Sequence, residues 1–125
     1  MSRKNILTGN SFGEEFGYSR AVRVGDHIHV AGTCAQPPHD HGDAYQQARS
    51  ALAIIEDALA ELGAGLEDVV RTVVYITDTD HGEGVTRAHG EIFGRIMPAS
   101  TLVVVAALLK PNLVVEIEAY AIQDR

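Results

Sequence analysis

The sequence predicts an α+β fold, a mixed β-sheet with two helices packed on one face. Three observations carry this expectation. A hairpin signature surrounds Gly25-Asp26, an apolar stripe at helical spacing runs through residues 44–62, and β-branched runs fill residues 69–77 and much of 98–123. Strands and helices in that proportion pack as a sheet covered from one side. The 125 residues fit one domain, residues 1–125, with little room for a second.

A first strand is expected at residues 3–8. The segment AVRVGDHIHVAG then reads as two short strands around a Gly-Asp turn. In its second strand His27, His29 and Ala31 share one face, and Ile28 and Val30 the other. After the polar loop HDHGD, the helix over 44–62 carries Tyr45, Ala48, Leu52, Ile55, Leu59 and Leu62 on one stripe. Asp43 with Gln46 has the form of a capping box, and Gly63 stands where the helix would stop. VVRTVVYIT, residues 69–77, predicts a strand. Asp80 with Glu83 resembles a second capping box, opening a helix over roughly 81–96 with Val85, Ala88, Ile92 and Ile96 on one side. Two last strands flank Pro111-Asn112, and that turn predicts antiparallel pairing between them.

The run Leu102 to Leu109 is apolar at every position. Helices cover only one sheet face, so such a strand predicts burial of the other face in a closed homo-oligomer. In the final strand Val115, Ile117, Ala119 and Ala121 alternate with Glu116, Glu118 and Tyr120. Both carboxylates therefore fall on the face assigned to the interface. They are either rim residues satisfied by a neighbouring subunit or part of a wet cleft between subunits.

Composition narrows the function. A net charge of −7, with no cluster of Lys and Arg, argues against nucleic acid as a partner. No run approaches the roughly 20 apolar residues of a membrane span. The single Cys34 excludes an intrachain disulfide and suits a reducing, cytoplasmic setting. His39-Asp40-His41 reads as a solvated loop, so no metal site is expected. His27 and His29 read as lining a subunit contact that weakens at low pH, where both rings would charge. Cys34 reads as a packed thiol. His89 reads as a helix-surface histidine, with the cleft as its alternative.

The tail PASTLVVVAALLKPNLVVEIEAYA resembles the C-terminal signature of the Rid (reactive intermediate deaminase) family, also called YjgF-like or L-PSP. Gly17-Tyr18-Ser19, Val30-Ala31-Gly32-Thr33, Gln47-Ala48-Arg49 and Leu66-Glu67-Asp68-Val69-Val70 fall in register with it. The resemblance implies a chorismate-mutase-like fold and a homotrimer with small-molecule clefts between subunits. It also implies hydrolysis of imine or enamine acids without metal or cofactor. Glu116 and Tyr18 are then the catalytic candidates, with Glu116 orienting water. Gly32, Thr33, Thr86, Ser100 and Thr101 are the substrate-binding candidates. One departure stands out: Pro98-Ala99 is followed by Ser100, where deaminases of the family have a substrate-clamping arginine. Ala31 stands for a serine and Thr86 for an asparagine. Arg20 or Arg87 would have to supply a substitute cation. A non-catalytic metabolite-binding trimer is the alternative; an endoribonuclease fits the acidic charge poorly.

Overall fold

The computed structural model describes residues 2–124. The chain runs through β1 (Arg3–Leu7), α1 (Ser11–Phe16), β2 (Ser19–Val24), β3 (His27–Thr33), α2 (Ala44–Glu61), β4 (Val69–Ile76), α3 (Gly82–Phe93), β5 (Ala99–Val104) and β6 (Val115–Ile122). All six strands form one sheet in the order β1-β2-β3-β6-β4-β5. Every neighbouring pair is antiparallel except β4 and β5, which are parallel. No helix among the described residues is long and apolar enough to cross a membrane.

The expected pairing of the last two strands is corrected. β5 does not touch β6 in the sheet; it lies parallel to β4 at the edge, and β6 is inserted between β3 and β4. The reason is α3, which returns the chain so that β4, α3 and β5 form a parallel crossover unit. The Lys110–Leu113 turn therefore belongs to a longer connection, not to a hairpin. The apolar run is also no continuous strand, because β5 ends at Val104. Leu102, Val103, Val104 and Leu109 are all exposed on this chain.

The connection between β5 and β6 is held by Gln47, a fully buried residue of α2. Its amide donates to the carbonyls of Asp40, Gly42 and Asn112 and accepts from the Val114 N–H. A buried side-chain amide with every group partnered satisfies backbone that would otherwise be orphaned.

α2 follows the expected stripe and its Asp43–Gln46 capping box is present. Its buried side is broader than the stripe, since Ala44, Gln47, Ala51 and Ala58 are also buried. The second box is absent. Asp78, not Asp80, accepts a backbone N–H, and it opens a short 3-10 turn at Thr79–His81 from which α3 continues without a side-chain cap. A Cβ at Gly84 would lie 3.1 Å from the Tyr45 backbone nitrogen, so the absent side chain lets α3 approach α2. α1 is unanticipated: six residues with a central glycine offer no apolar stripe, yet Asn10 caps it and Gly17 ends it at φ 85°.

The helix-facing side of the sheet closes on α2 and α3 through Ile28, Val30, Val74, Ile117 and Ala119. Along β6 the alternation is as expected, with Val115, Ile117, Ala119 and Ala121 buried and Glu116, Glu118 and Tyr120 on the open face. That open face carries the polar chemistry.

Candidate functional site

The open face is organised around Gly32. The β2–β3 hairpin brings Arg20 beside it, and β6 brings Glu116. Pairing between β3 and β6 shifts register between Val30 and Thr33, which turns the backbone of Gly32 out of the regular ladder. The Glu116 carboxylate lies directly against the Gly32 α-carbon, and a Cβ there would collide with it. Close approach of this kind requires glycine.

Three groups surround that contact. The Cys34 thiol donates to Glu116 Oε1 at 3.4 Å. Burial, then the neighbouring Glu116 charge, push the thiol up to about 12, with Arg20 partly opposing them. Cys34 is therefore a protonated donor to the carboxylate and not a nucleophile. Arg20 donates from Nη2 to the Gly32 carbonyl, and its guanidinium lies 5.8 Å from the Tyr18 ring centroid. Its Nε is buried with no hydrogen-bond partner among the described residues. Tyr18 is held in turn by edge contacts with Phe12 and Phe16 of α1. The helix that the sequence did not announce thus positions an expected site residue.

The second glutamate is engaged differently. Glu118 accepts from the hydroxyls of both Tyr75 and Tyr120. These bonds to a carboxylate push the Tyr75 phenol up to about 12 and raise Tyr120. His29 packs edge-on against Tyr120 at 5.4 Å. Each oxygen of Glu118 already accepts one phenol, whereas among the described residues no phenol binds Glu116. A cavity of about 390 Å³ opens on the same face, lined by Tyr18, Ala31, His29, Glu118 and Tyr120. Tyr18 lines this cavity and Glu116 does not, so the hollow adjoins the Gly32–Glu116 contact rather than containing it.

The remaining candidates fall elsewhere on the chain. Ser100 pairs with Thr72, whose other neighbour across the sheet is Ala119, so it belongs to the helix-facing register. The Thr72 hydroxyl donates to Ser100 Oγ at 2.7 Å and lies 2.8 Å from His89 Nε2. With Thr72 so committed, the neutral His89 ring donates from Nε2. Burial lowers the His89 pKa, and the ring packs on Phe93 at 4.7 Å, so it points inward rather than into solvent. Thr101 lies on the open side and accepts from Arg71 at 3.2 Å. Thr86 is exposed on α3. Arg87 stacks on Tyr45 at 4.2 Å. Thr33 is buried and donates to Ala31 O at 2.8 Å. One chain therefore brings together Tyr18, Gly32 and Glu116, with Arg20 and Cys34, and leaves Thr33, Thr86, Ser100 and Thr101 apart from them. Cys34 as a donor to Glu116, and the phenols on Glu118, had no signal in the sequence beyond the strand alternation. No group of three potential metal ligands occurs among the described residues.

A six-stranded mixed sheet backed by two helices, with paired glutamates on its open face, places the chain in the YjgF-like α+β class. The profile described as Endoribonuclease L-PSP matches residues 8–123. An uncharacterized protein of Streptomyces coelicolor is 37% identical over 122 residues, covering 94% of this chain and 91% of that protein. The human 2-iminobutanoate/2-iminopropanoate deaminase is 31% identical over 127 residues, covering 98% of this chain and 92% of the human protein. The crystal structure of a Mycobacterium tuberculosis member of the YjgF/YER057c/UK114 family superposes with a TM-score of 0.92 at 44% identity, covering 98% of this chain and 100% of that one. The chain belongs to the Rid family, also called YjgF-like or L-PSP.

Proposed function

We propose that this chain forms a homotrimer whose clefts hydrolyse the C=N bond of a small imino acid, giving the keto acid and ammonia. Glu116 accepts a proton from water as the water oxygen bonds to the imine carbon. The C=N electron pair passes to nitrogen, which takes up a proton. Glu116 returns the proton it took, supplying that nitrogen; in the carbinolamine the hydroxyl proton then moves to nitrogen as the carbonyl forms, the C–N bond breaks and ammonia leaves. The observation that carries this reading is the Glu116 carboxylate, pressed on Gly32 and supported by one thiol, while Glu118 is capped by Tyr75 and Tyr120. The activity for which the human relative is named gives the substrate class. The exposed Leu102, Val103 and Val104 of β5 support assembly, because a neighbouring subunit would cover them.

A second reading keeps the cleft without turnover, and Ser100 favours it, since its hydroxyl is bound to Thr72 at the position where the resemblance implies an arginine. The test is ammonia release from 2-iminopropanoate generated in situ by an amino-acid oxidase. Turnover by the wild type that disappears in Glu116→Ala supports the hydrolase. Turnover confined to Ser100→Arg supports the binding protein, and a monomer in sedimentation would overturn the trimer.

A further inference from the structure

The geometry points to Arg20 as the group that holds the substrate's carboxylate, in place of the arginine missing at Ser100. This rests on the imino-acid reading of the site but can fail separately from it. Arg20 makes a single hydrogen bond among the described residues, from Nη2 to the Gly32 carbonyl. Its Nε–H is buried and has no acceptor. Buried donors are nearly always satisfied, so an open one on a cation marks where an acceptor belongs. No ion pair joins Arg20 to Glu116 or to any other described carboxylate.

The other arginines with defined contacts are committed. Arg23 binds the Gly25 and Leu62 carbonyls and Gln123. Arg49 pairs with Glu91, Arg71 binds Thr101, and Arg87 lies on the Tyr45 ring. Among the described residues, Arg20 alone combines a buried open N–H with proximity to the Glu116 contact. Its guanidinium is held by the Gly32 carbonyl on one side and by Tyr18 beneath, which fixes the direction in which the open Nε–H meets a carboxylate.

Placement matches the substrate. Arg20 and Glu116 flank the same residue, one on the Gly32 carbonyl and one on its α-carbon. A 2-imino acid carries its carboxylate on the atom adjacent to the electrophilic carbon. An anion seated on Arg20 therefore leaves the imine carbon on the Glu116 side of Gly32. In a chain of net charge −7, a local cation is also what lets an anionic substrate approach.

The probe is pyruvate, the keto acid corresponding to 2-iminopropanoate, compared with its neutral amide, pyruvamide. Wild-type protein is expected to bind pyruvate in preference to pyruvamide, and titration is expected to move the Arg20 side-chain Nε–H resonance in NMR. Arg20→Gln is expected to weaken pyruvate binding roughly 10- to 100-fold, the range for losing a charge-assisted hydrogen-bonded contact. Arg20→Lys keeps the charge but not the fork, and falls between. In turnover the loss appears in KM more than in kcat. An Nε–H resonance unmoved at pyruvate saturation, equal affinity for pyruvamide, no pyruvate binding, or wild-type affinity in folded Arg20→Gln would each overturn the assignment. Because the NMR and amide comparisons use wild-type protein, misfolding of a variant does not protect it. Arg20-dependent pyruvate binding without ammonia release would remove the hydrolase and leave the anion site. Turnover indifferent to Arg20 would do the reverse.

Discussion

Replacing Gly32 by alanine tests the contact on which the site is built. The added Cβ would stand 2.9 Å from Glu116 Cδ and 3.3 Å from Cγ, against an optimal carbon–carbon separation of about 3.5–4.0 Å. The carboxylate must swing away by roughly 1 Å, giving up its bond from Cys34. Glu116 is only partly buried and its end is flexible, so the stability cost sits at the low end for overpacking, about 1 kcal/mol. That corresponds to roughly 4 °C in melting temperature for a chain of this size. Function responds far more strongly, because a misplacement of about 1 Å costs on the order of 10²-fold. Ammonia release and thermal melting, run side by side, check both numbers. Shortening the carboxylate arm in Gly32→Ala/Glu116→Asp relieves the collision, so the double variant should melt above the Gly32→Ala single variant. Wild-type melting and turnover in Gly32→Ala would refute the contact.

Three further outcomes follow from the geometry. Gln47→Leu keeps the volume but removes the acceptor for Val114 N–H and the donor to three carbonyls; denaturant unfolding should show a loss of about 2–4 kcal/mol, and a loss below about 1 kcal/mol would mean water replaces the amide. With the Cys34 thiol raised from 9.0 to about 12, its thiolate is about a thousandfold scarcer, so iodoacetamide should alkylate it far more slowly in folded than in unfolded protein by mass spectrometry. His89 is held neutral by burial, so its contribution is complete above the ordinary value of 6.5 and is lost as pH falls below it; His89→Gln should flatten that part of the melting-versus-pH curve, and parallel curves would remove His89 from the account.

What the sequence disclosed was what short-range chemistry determines. The Gly25-Asp26 hairpin, the α2 stripe with its Asp43 cap and the alternation along β6 all depend on residues close in the chain, and each appears as read. The neighbours of β6 depend on where α3 returns the chain, and no local pattern encodes that, so Pro111-Asn112 pointed to a hairpin that does not form. The α3 cap failed for a smaller reason: Asp78 reached a backbone N–H first. At the site, alternation placed Glu116 and Glu118 on one face but could not separate them. The difference comes from Tyr75 and Tyr120, whose hydroxyls meet Glu118 only through the register of β4 and β6. Arg20 reaches Gly32 likewise only through the hairpin's register.

The position of β6 also governs how the chain can fold as it is made. On the ribosome β1, β2 and β3 can assemble first, and β4, α3 and β5 second, but these two pieces share no strand pairing. β6 follows both in synthesis and supplies every backbone hydrogen bond between them. Until it emerges, β3 and β4 each present a bare edge, the feature through which nascent chains pair with one another. A chain stalled before Val115 therefore has two half-sheets that no strand pairing joins, with bare edges on β3 and β4, a client for chaperones rather than a smaller version of the protein. Joining the halves also places Glu116 opposite Gly32, so the last strand to arrive completes the sheet and the site in the same step.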